Sequence, residues 1–392
     1  MRKYCGTPRE TIPFKFMDFF VDIYAKLFFK KRTRNFDTAA PKRILIASLG
    51  HLGDALTVTY MFPLIKKKYP DVKIDLLAPQ WCEGVNQHNP YVDRTIIINH
   101  YQTNRKKISR SAKIKEHYRS FLAALPLLKQ ESYDYYIDIR YSDAVAHFVL
   151  PFIKVGKAFG FARRGLGGLL DVEFDVPQGE FHHFDMYLML LREIGVIGTL
   201  ADIEPYFPIA PDTTIAKIQQ KVSIPKTHYL MVFPESGGEH KQLSPHFWAS
   251  ILGELLGQTD FTILLCGQTS LCTQIYNLIN IPGLNRLIDT SNKINIHEIA
   301  LLSQTATYAL TLDSFPEHLC CIFCKTIAVF KGTGYPFFPL ANHPVYLIHN
   351  HQPSVGLPFD RENVTIIYQQ EVETTEVKKL IVDKINQVII HE

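Results

Sequence analysis

Short apolar runs rich in Ile, Leu, Val and Tyr recur along the chain, separated by longer segments with helical spacing. Residues 43–48, 73–78, 95–98 and 135–139 read as strands of a first half, and residues 229–233, 261–265, 308–312 and 326–330 as strands of a second. Continuous apolar runs bounded by turn residues suit strands buried on both faces, as in a parallel sheet covered by helices. Between them, residues 55–68 form one predicted helix with Leu56, Tyr60 and Ile65 toward the sheet. Residues 184–194 form another, stopped by Gly195, and residues 214–222 a third. Strands alternating with helices predict a doubly wound α/β protein.

The ends follow a different pattern. Residues 12–29 place Phe16, Phe20, Ile23, Tyr24 and Leu27 on one helical face, and Lys30, Lys31, Arg32 and Arg34 follow directly. Such a helix either lies in a membrane interface, with its basic residues against anionic headgroups, or packs on the first domain or another subunit. Residues 35–41 and the proline-rich residues 205–211 read as linkers. The expected organisation is a basic amphipathic segment (1–36), an N-terminal domain (37–205), a C-terminal domain (206–370) and a C-terminal helix (371–392).

The chemistry-bearing residues fall where predicted strands end. Asp313 and Ser314 follow residues 308–312, and Pro316 suits the first turn of a helix of about ten residues. A helix N-terminus at the carboxyl end of a parallel strand suits a phosphate, although any capped helix begins the same way. Gly50, Gly53 and Asp54 follow the first strand, with Asp54 at a helix start. Ser244 and Pro245 start a helix as cap and first-turn proline, and Asn295 and Glu298 have capping-box spacing that leaves His297 a bystander. His182 and His183 read as surface or capping residues, and Cys320, Cys321 and Cys324 as core residues of a buried helix.

Composition narrows the class. With 392 residues, 46% hydrophobic and 20% charged, the chain is long enough for two domains and is not disordered. No apolar run approaches transmembrane length, and Lys15, Asp18, Asp22 and Lys26 interrupt the segment where a secretory signal would lie. Seven cysteines, an odd number, fit a reducing cytoplasm. The net charge of +4 is unevenly spread. Residues 1–36 hold nine Lys/Arg against three acids, residues 101–120 seven against one, and the remainder is net acidic. Two basic patches suggest an anionic surface partner and argue against a generally basic nucleic-acid binder. Lys106, Lys107, Arg110 and Lys113, in a loop entering a helix, are the candidates for meeting an acceptor or a membrane, against the alternative of a solvated face.

Taken together these motifs resemble glycosyltransferase family 9, the bacterial ADP-heptose:lipopolysaccharide heptosyltransferases. The resemblance rests on residues 49–54, 89–93, 133–138 and 160–164 in the first half. In the second half it rests on residues 233–237 with Lys241, Phe247 and Trp248, and on residues 312–319; it covers roughly residues 42–350. It implies the GT-B architecture, two Rossmann-like domains facing a central cleft, and an inverting transfer from a nucleotide sugar, ADP-linked, to a lipopolysaccharide or other surface glycan. Asp54 matches the proposed catalytic base, and Ser236, Gly237 and Lys241 match positions that contact donor phosphates. Asp313, Ser314 and His318 match the donor-binding residues of the C-terminal domain. No Asp-x-Asp motif stands out, so neither a metal nor a further cofactor is expected. Two departures bear on donor choice: Phe315 replaces a glycine, and Gln268 with Thr269 stands where the family has a glutamate near the nucleotide. The expected location is the cytoplasm, peripheral to the cytoplasmic face of the inner membrane. The alternatives are a nucleotide-sugar-modifying relative such as an epimerase, and a catalytically degenerate assembly partner.

Overall fold

A computed structural model describes Tyr4 and residues 8–29, 40–161, 163–177, 181–225, 228–332, 338–350 and 363–389. The chain divides into two compact units, Met1–Ile203 and Glu204–Glu392. Each is built on one parallel sheet.

The first unit opens with α1 (Pro8–Tyr24), continued by a π-helical turn, Ala25–Phe29. It then runs β1 (Arg43–Ala47), α2 (Leu52–Thr59), α3 (Phe62–Lys68), β2 (Lys73–Ala78), α4 (Glu83–Asn86), β3 (Arg94–Ile97), α5 (Arg110–Lys129) and β4 (Ser132–Asp138). A 3₁₀ segment, Val145–Phe152, leads to β5 (Lys154–Phe161), a 3₁₀ turn at Gly167–Leu169, β6 (Val172–Phe174) and α6 (His183–Glu193). The six strands lie in the order β3-β2-β1-β4-β5-β6, all parallel. The order reverses between β1 and β4, which pair with Ala47 opposite Asp138.

The second unit holds α7 (Ile215–Gln219), β7 (Tyr229–Val232), α8 (Pro245–Gln258), β8 (Thr262–Leu265), α9 (Leu271–Leu278), β9 (Leu287–Asp289), α10 (Ile296–Ser303) and β10 (Tyr308–Leu312). It ends with α11 (Phe315–Cys320), β11 (Thr326–Phe330), β12 (Val345–His349), β13 (Val364–Tyr368) and α12 (Thr375–Ile389). Its order is β13-β12-β11-β10-β7-β8-β9, again parallel, with the reversal between β10 and β7. The inner strands β7, β10 and β11 are buried along their whole length. That is why they read as continuous apolar runs and show no alternation.

Local capping agrees with the sequence at several helices. The Ser244 hydroxyl accepts from the Phe247 amide, and Asn295 and Glu298 form the expected capping box. His182 caps α6, accepting from the Phe184 amide, and both His182 and His183 are buried, which removes the surface reading. Cys320, Cys321 and Cys324 are buried free thiols.

Four expectations are corrected. Residues 55–68 are not one helix: Pro63, which has no N–H to donate and crowds the preceding turn, enforces a break between α2 and α3. His297 is not a bystander, because its Nδ1 accepts from the Ala210 amide at 3.1 Å and ties α10 to the segment entering the unit. The helix after Asp313 spans six residues. Ser314 stands at its N-cap position without capping it, its hydroxyl donating instead to the Leu312 carbonyl. Lys30, Lys31, Arg32 and Arg34, most of the 35–41 linker, and Thr333 and Gly334 lie outside the described residues.

The amphipathic N-terminal helix packs on the first sheet's layer and also keeps an apolar face. Met17, Val21 and Ala25 join the same core as Leu45, Ala47 and Leu77. Asp18 is buried and accepts from the Leu166 amide at 2.5 Å. A Cβ on Gly168 would strike the backbone and carboxylate of Asp22, so this close seat requires glycine.

Beneath the first sheet's surface, Asp75 of β2 is buried. It accepts from Arg43 Nη1 at 2.8 Å, Arg94 Nη2 at 2.5 Å and the Tyr133 hydroxyl at 3.1 Å. A buried carboxylate is tolerable only with partners of this kind. Asp75→Ala is expected to destabilise the protein by about 1–3 kcal/mol, since it removes the acceptor that joins Arg43, Arg94 and the Tyr133 hydroxyl and leaves Glu131 as the acid beside both arginines. A urea midpoint equal to that of the wild type would count against the network.

Candidate functional site

Both order reversals are topological switch points, where loops from adjacent strands turn to opposite faces and leave a crevice outside the strand ends. Asp54 in the first unit, and Ser236, Gly237, Lys241, Asp313 and Ser314 in the second, follow the strands that flank these reversals.

In the first unit the loop after β1 carries Gly50 and His51 into α2. Asp54 is the third residue of α2, and its carboxylate folds back to accept from the His51 amide at 2.7 Å. A Cβ on Gly50 would fall 2.2 Å from Asp54 Oδ2, so the fold-back demands a glycine. Trp81 clamps the loop from the side, its indole N–H donating to the Gly50 carbonyl. From the neighbouring strand end comes Arg140, with Nη1 3.7 Å from Asp54 Oδ2 and Nη2 donating to the Ser142 hydroxyl. Arg105 completes the group, its Nε donating to His51 Nδ1 at 3.4 Å.

The loop bearing the basic run is tied to this site, because the Thr103 hydroxyl donates to the Leu49 carbonyl. Arg105, the first basic residue of that run, is the side chain that reaches the Asp54 loop. Lys106 pairs with Glu116 at 3.0 Å, while Lys107 and Arg110 are exposed and Lys113 is half-exposed. Arg105 and Arg140 were not among the sequence candidates. Arg140 carried a usable signal, since it stands two residues past the end of β4 at the switch point.

In the second unit the loop after β7 and the end of β10 meet. Lys241 Nζ lies 2.6 Å from Asp313 Oδ2, the Ser236 hydroxyl donates to the Asp313 carbonyl, and Gln242 holds the Ser236 carbonyl. Gly237 is exposed at the tip of the same loop, and His318 lies buried on α11. Phe315 takes the first position of α11 and is half-buried.

The end of β8 is organised by a residue that sequence reasoning missed. Glu235 accepts from the amides of Gln268 and Thr269, both at 2.8 Å, and from the Thr269 hydroxyl at 2.7 Å. A carboxylate therefore does stand beside Gln268 and Thr269, delivered from the neighbouring strand's loop. Gly267 makes room for it, since a Cβ there would lie 2.6 Å from Glu235 Oε1.

A second missed acid is Glu317, fully buried, with neither carboxyl oxygen given a hydrogen-bond partner. Burial first, and then the Asp313 carboxylate, push its carboxyl well above the ordinary range. Ser314, at the N-cap position of α11, makes no side-chain cap hydrogen bond.

One site thus holds a half-exposed carboxylate flanked by two arginines, able to accept a proton. The other holds a lysine paired with an aspartate at a strand-end crevice, suited to an anion that draws the lysine toward it.

Comparison with known proteins bears on the family and the fold. The family described as glycosyltransferase family 9 (heptosyltransferase) matches residues 123–358. Lipopolysaccharide heptosyltransferase 3 of Escherichia coli K12 is 22% identical over 298 residues, covering 73% of this chain and 81% of that protein. The structure of the E. coli ADP-heptose lipopolysaccharide heptosyltransferase II superimposes with a TM-score of 0.65 at 15% identity, covering 89% of this chain and 99% of the other. An E. coli heptosyltransferase solved with ADP gives a TM-score of 0.56 at 14% identity over 88% and 98%. A family match over more than half of the residues, on two parallel-sheet units of GT-B type, means that this chain belongs to glycosyltransferase family 9, the heptosyltransferases, and is a glycosyltransferase.

Proposed function

We propose that the chain moves a heptose or a related sugar from an ADP-linked nucleotide sugar to an anionic glycolipid or glycan acceptor, with inversion at the anomeric carbon. The observation that carries this reading is the content of the two switch points: a half-exposed carboxylate in one, and a lysine–aspartate pair beside strand-end loops in the other. The acceptor hydroxyl gives its proton to Asp54 as its oxygen bonds to the anomeric carbon. The bond from that carbon to the diphosphate breaks, and its electron pair leaves with the phosphate. Lys241 and the loop holding Ser236 and Gly237 face the charge that develops there. Asp313 holds Lys241 until the diphosphate arrives, and His318, Ser314 and Thr269 complete the donor side. Lys106, Lys107, Arg110 and Lys113 lie toward the acceptor. The named relatives act on ADP-heptose and lipopolysaccharide, which supports the substrate class. The working location follows from it: the cytoplasm, against the inner membrane where a lipid-linked glycan is built.

A thermal-shift screen of nucleotides and nucleotide sugars tests the reading as a whole. Stabilisation by ADP or an ADP-sugar is expected, and no response to any nucleotide would favour an assembly role.

Asp54→Asn keeps the fold-back to the His51 amide but cannot take a proton. It is expected to leave donor binding intact and to lower turnover by about 10²–10⁴-fold. Turnover near that of the wild type in the folded variant would reduce Asp54 to a helix-start residue.

Lys241→Ala should weaken ADP binding about tenfold or more in calorimetry, since a charge-assisted contact to phosphate is lost. Unchanged affinity would mean that Lys241 serves Asp313 alone.

His51 is held neutral beside Asp54. Burial, opposed by Asp54 and helped by Arg105 and Arg140, lowers its pKa from the usual 6.5 to about 4. The unfolded chain therefore binds this proton first as pH falls, and stability contributed through His51 is lost between about pH 6.5 and pH 4. His51→Ala should lessen the fall in thermal midpoint across that window. An unchanged pH profile would show that His51 ionises in the folded state as it does in the unfolded one.

A further inference from the structure

Two features that are separate in the sequence, the aromatic N-terminal helix and the basic segment 101–120, meet in one layer of the first unit. Ala25 of the π turn, Ala124 and Leu128 of α5, Val149 and Leu150 of the 3₁₀ segment, and Leu166 and Leu169 beside Gly167–Leu169 share one core with Leu45 and Ala47 of β1. The Phe121 and Phe152 rings touch edge to face, which joins α5 to the 3₁₀ segment. Elements that cover the same side of a sheet turn their outer faces away from it together.

Those outer faces are apolar to a degree that a solvated layer does not need. On α1 and the π turn, Phe16, Phe19, Phe20, Leu27 and Phe28 are each more than half exposed, Phe16 at 68%. Phe20 packs edge-on against both Phe16 and Phe19, so these rings form a patch. Beside them, Leu122 (63%) and Tyr118 are exposed on α5, and Phe148 and Phe152 on the 3₁₀ segment. Arg110, Lys115 and Arg119 of α5 and Lys15 and Lys26 of the N-terminal helix are exposed on the same elements. The positive charge of this face comes from α5, with five lysines and arginines against one acid, whereas residues 8–29 hold three of each sign.

We infer that this composite face, α1 with its π turn, the 3₁₀ segment and α5, is a docking surface for an anionic lipid bilayer. Aromatic and aliphatic side chains enter the headgroup boundary, and the surrounding lysines and arginines meet the lipid charge. The occupant is a bilayer by charge complementarity, because an isologous second copy would bring two basic layers together. No helix among the described residues is long and apolar enough to cross a membrane, so the attachment is to one surface. The inference deepens the proposed location but does not depend on the chemistry of the transfer.

The test uses the full chain and vesicles of phosphatidylglycerol and phosphatidylcholine in co-sedimentation, with pure phosphatidylcholine as the comparison. Binding to the anionic vesicles is expected, falling as salt rises, because the lysine and arginine contribution is screened. Phe20→Glu is expected to lower the bound fraction about tenfold, and so is the double variant Leu122→Glu with Phe148→Glu. All three positions are exposed, so the variants should keep the wild-type thermal midpoint and ADP affinity. Three results would overturn the proposal. The wild-type chain could ignore anionic vesicles at low salt. The α5 and 3₁₀ variant could bind as the wild type does, leaving the N-terminal helix as the whole anchor. Sedimentation equilibrium could reveal a dimer that the same substitutions dissociate, assigning the face to a second copy. Loss of ADP binding with vesicle binding kept would instead sink only the transferase reading.

Discussion

In a parallel sheet every strand delivers its following loop to the same edge, and wherever the strand order reverses two neighbouring loops part company. The candidate chemistry of this protein depends on that constraint. Asp54 follows β1 and Arg140 follows β4, the two strands that flank the reversal in the first sheet. Lys241 follows β7 and Asp313 follows β10, the two that flank it in the second. Neither pair is adjacent in sequence. The strands that bring them together are buried on both faces, so the sites rest on the most rigid part of each unit.

Much of the fold was legible because buried parallel strands leave long apolar runs. Asp313 could be picked out because it closes such a run, Asp54 because it follows one through a glycine-bearing loop into a helix, and Ser244 and Asn295 because capping is a short-range matter. The pairings could not be read. Lys241 and Asp313 are 72 positions apart, and Glu235 reaches Thr269 across 34. Local spacing also misled. Ser314 has the chemistry of an N-cap, yet its hydroxyl turns back to the Leu312 carbonyl. His297 was visible inside a real capping box, but its bond to the Ala210 amide lies 87 positions away. The break at Pro63 was the one error that local chemistry could have prevented.

Sites of this kind tend to break local rules that the rest of a fold obeys. The Asp54 carboxylate is half-exposed yet folded back over a glycine, and the Asp313 carboxylate holds a lysine that a ligand would compete for. Glu317 is buried close to Asp313, and both that burial and the Asp313 charge raise the cost of ionising it.

The hydrogen bond from the Leu166 amide to Asp18 also fixes the rotational setting of α1. A helix turns about 100° per residue, so a slip of one position would swing the aromatic stripe a quarter-turn or more around the axis. With Asp18 buried against one backbone amide and Gly168 fitted to Asp22, only one rotation fits the seat. A tilt imposed on the aromatic stripe would therefore press on β1, which shares its core and whose following loop leads to Asp54.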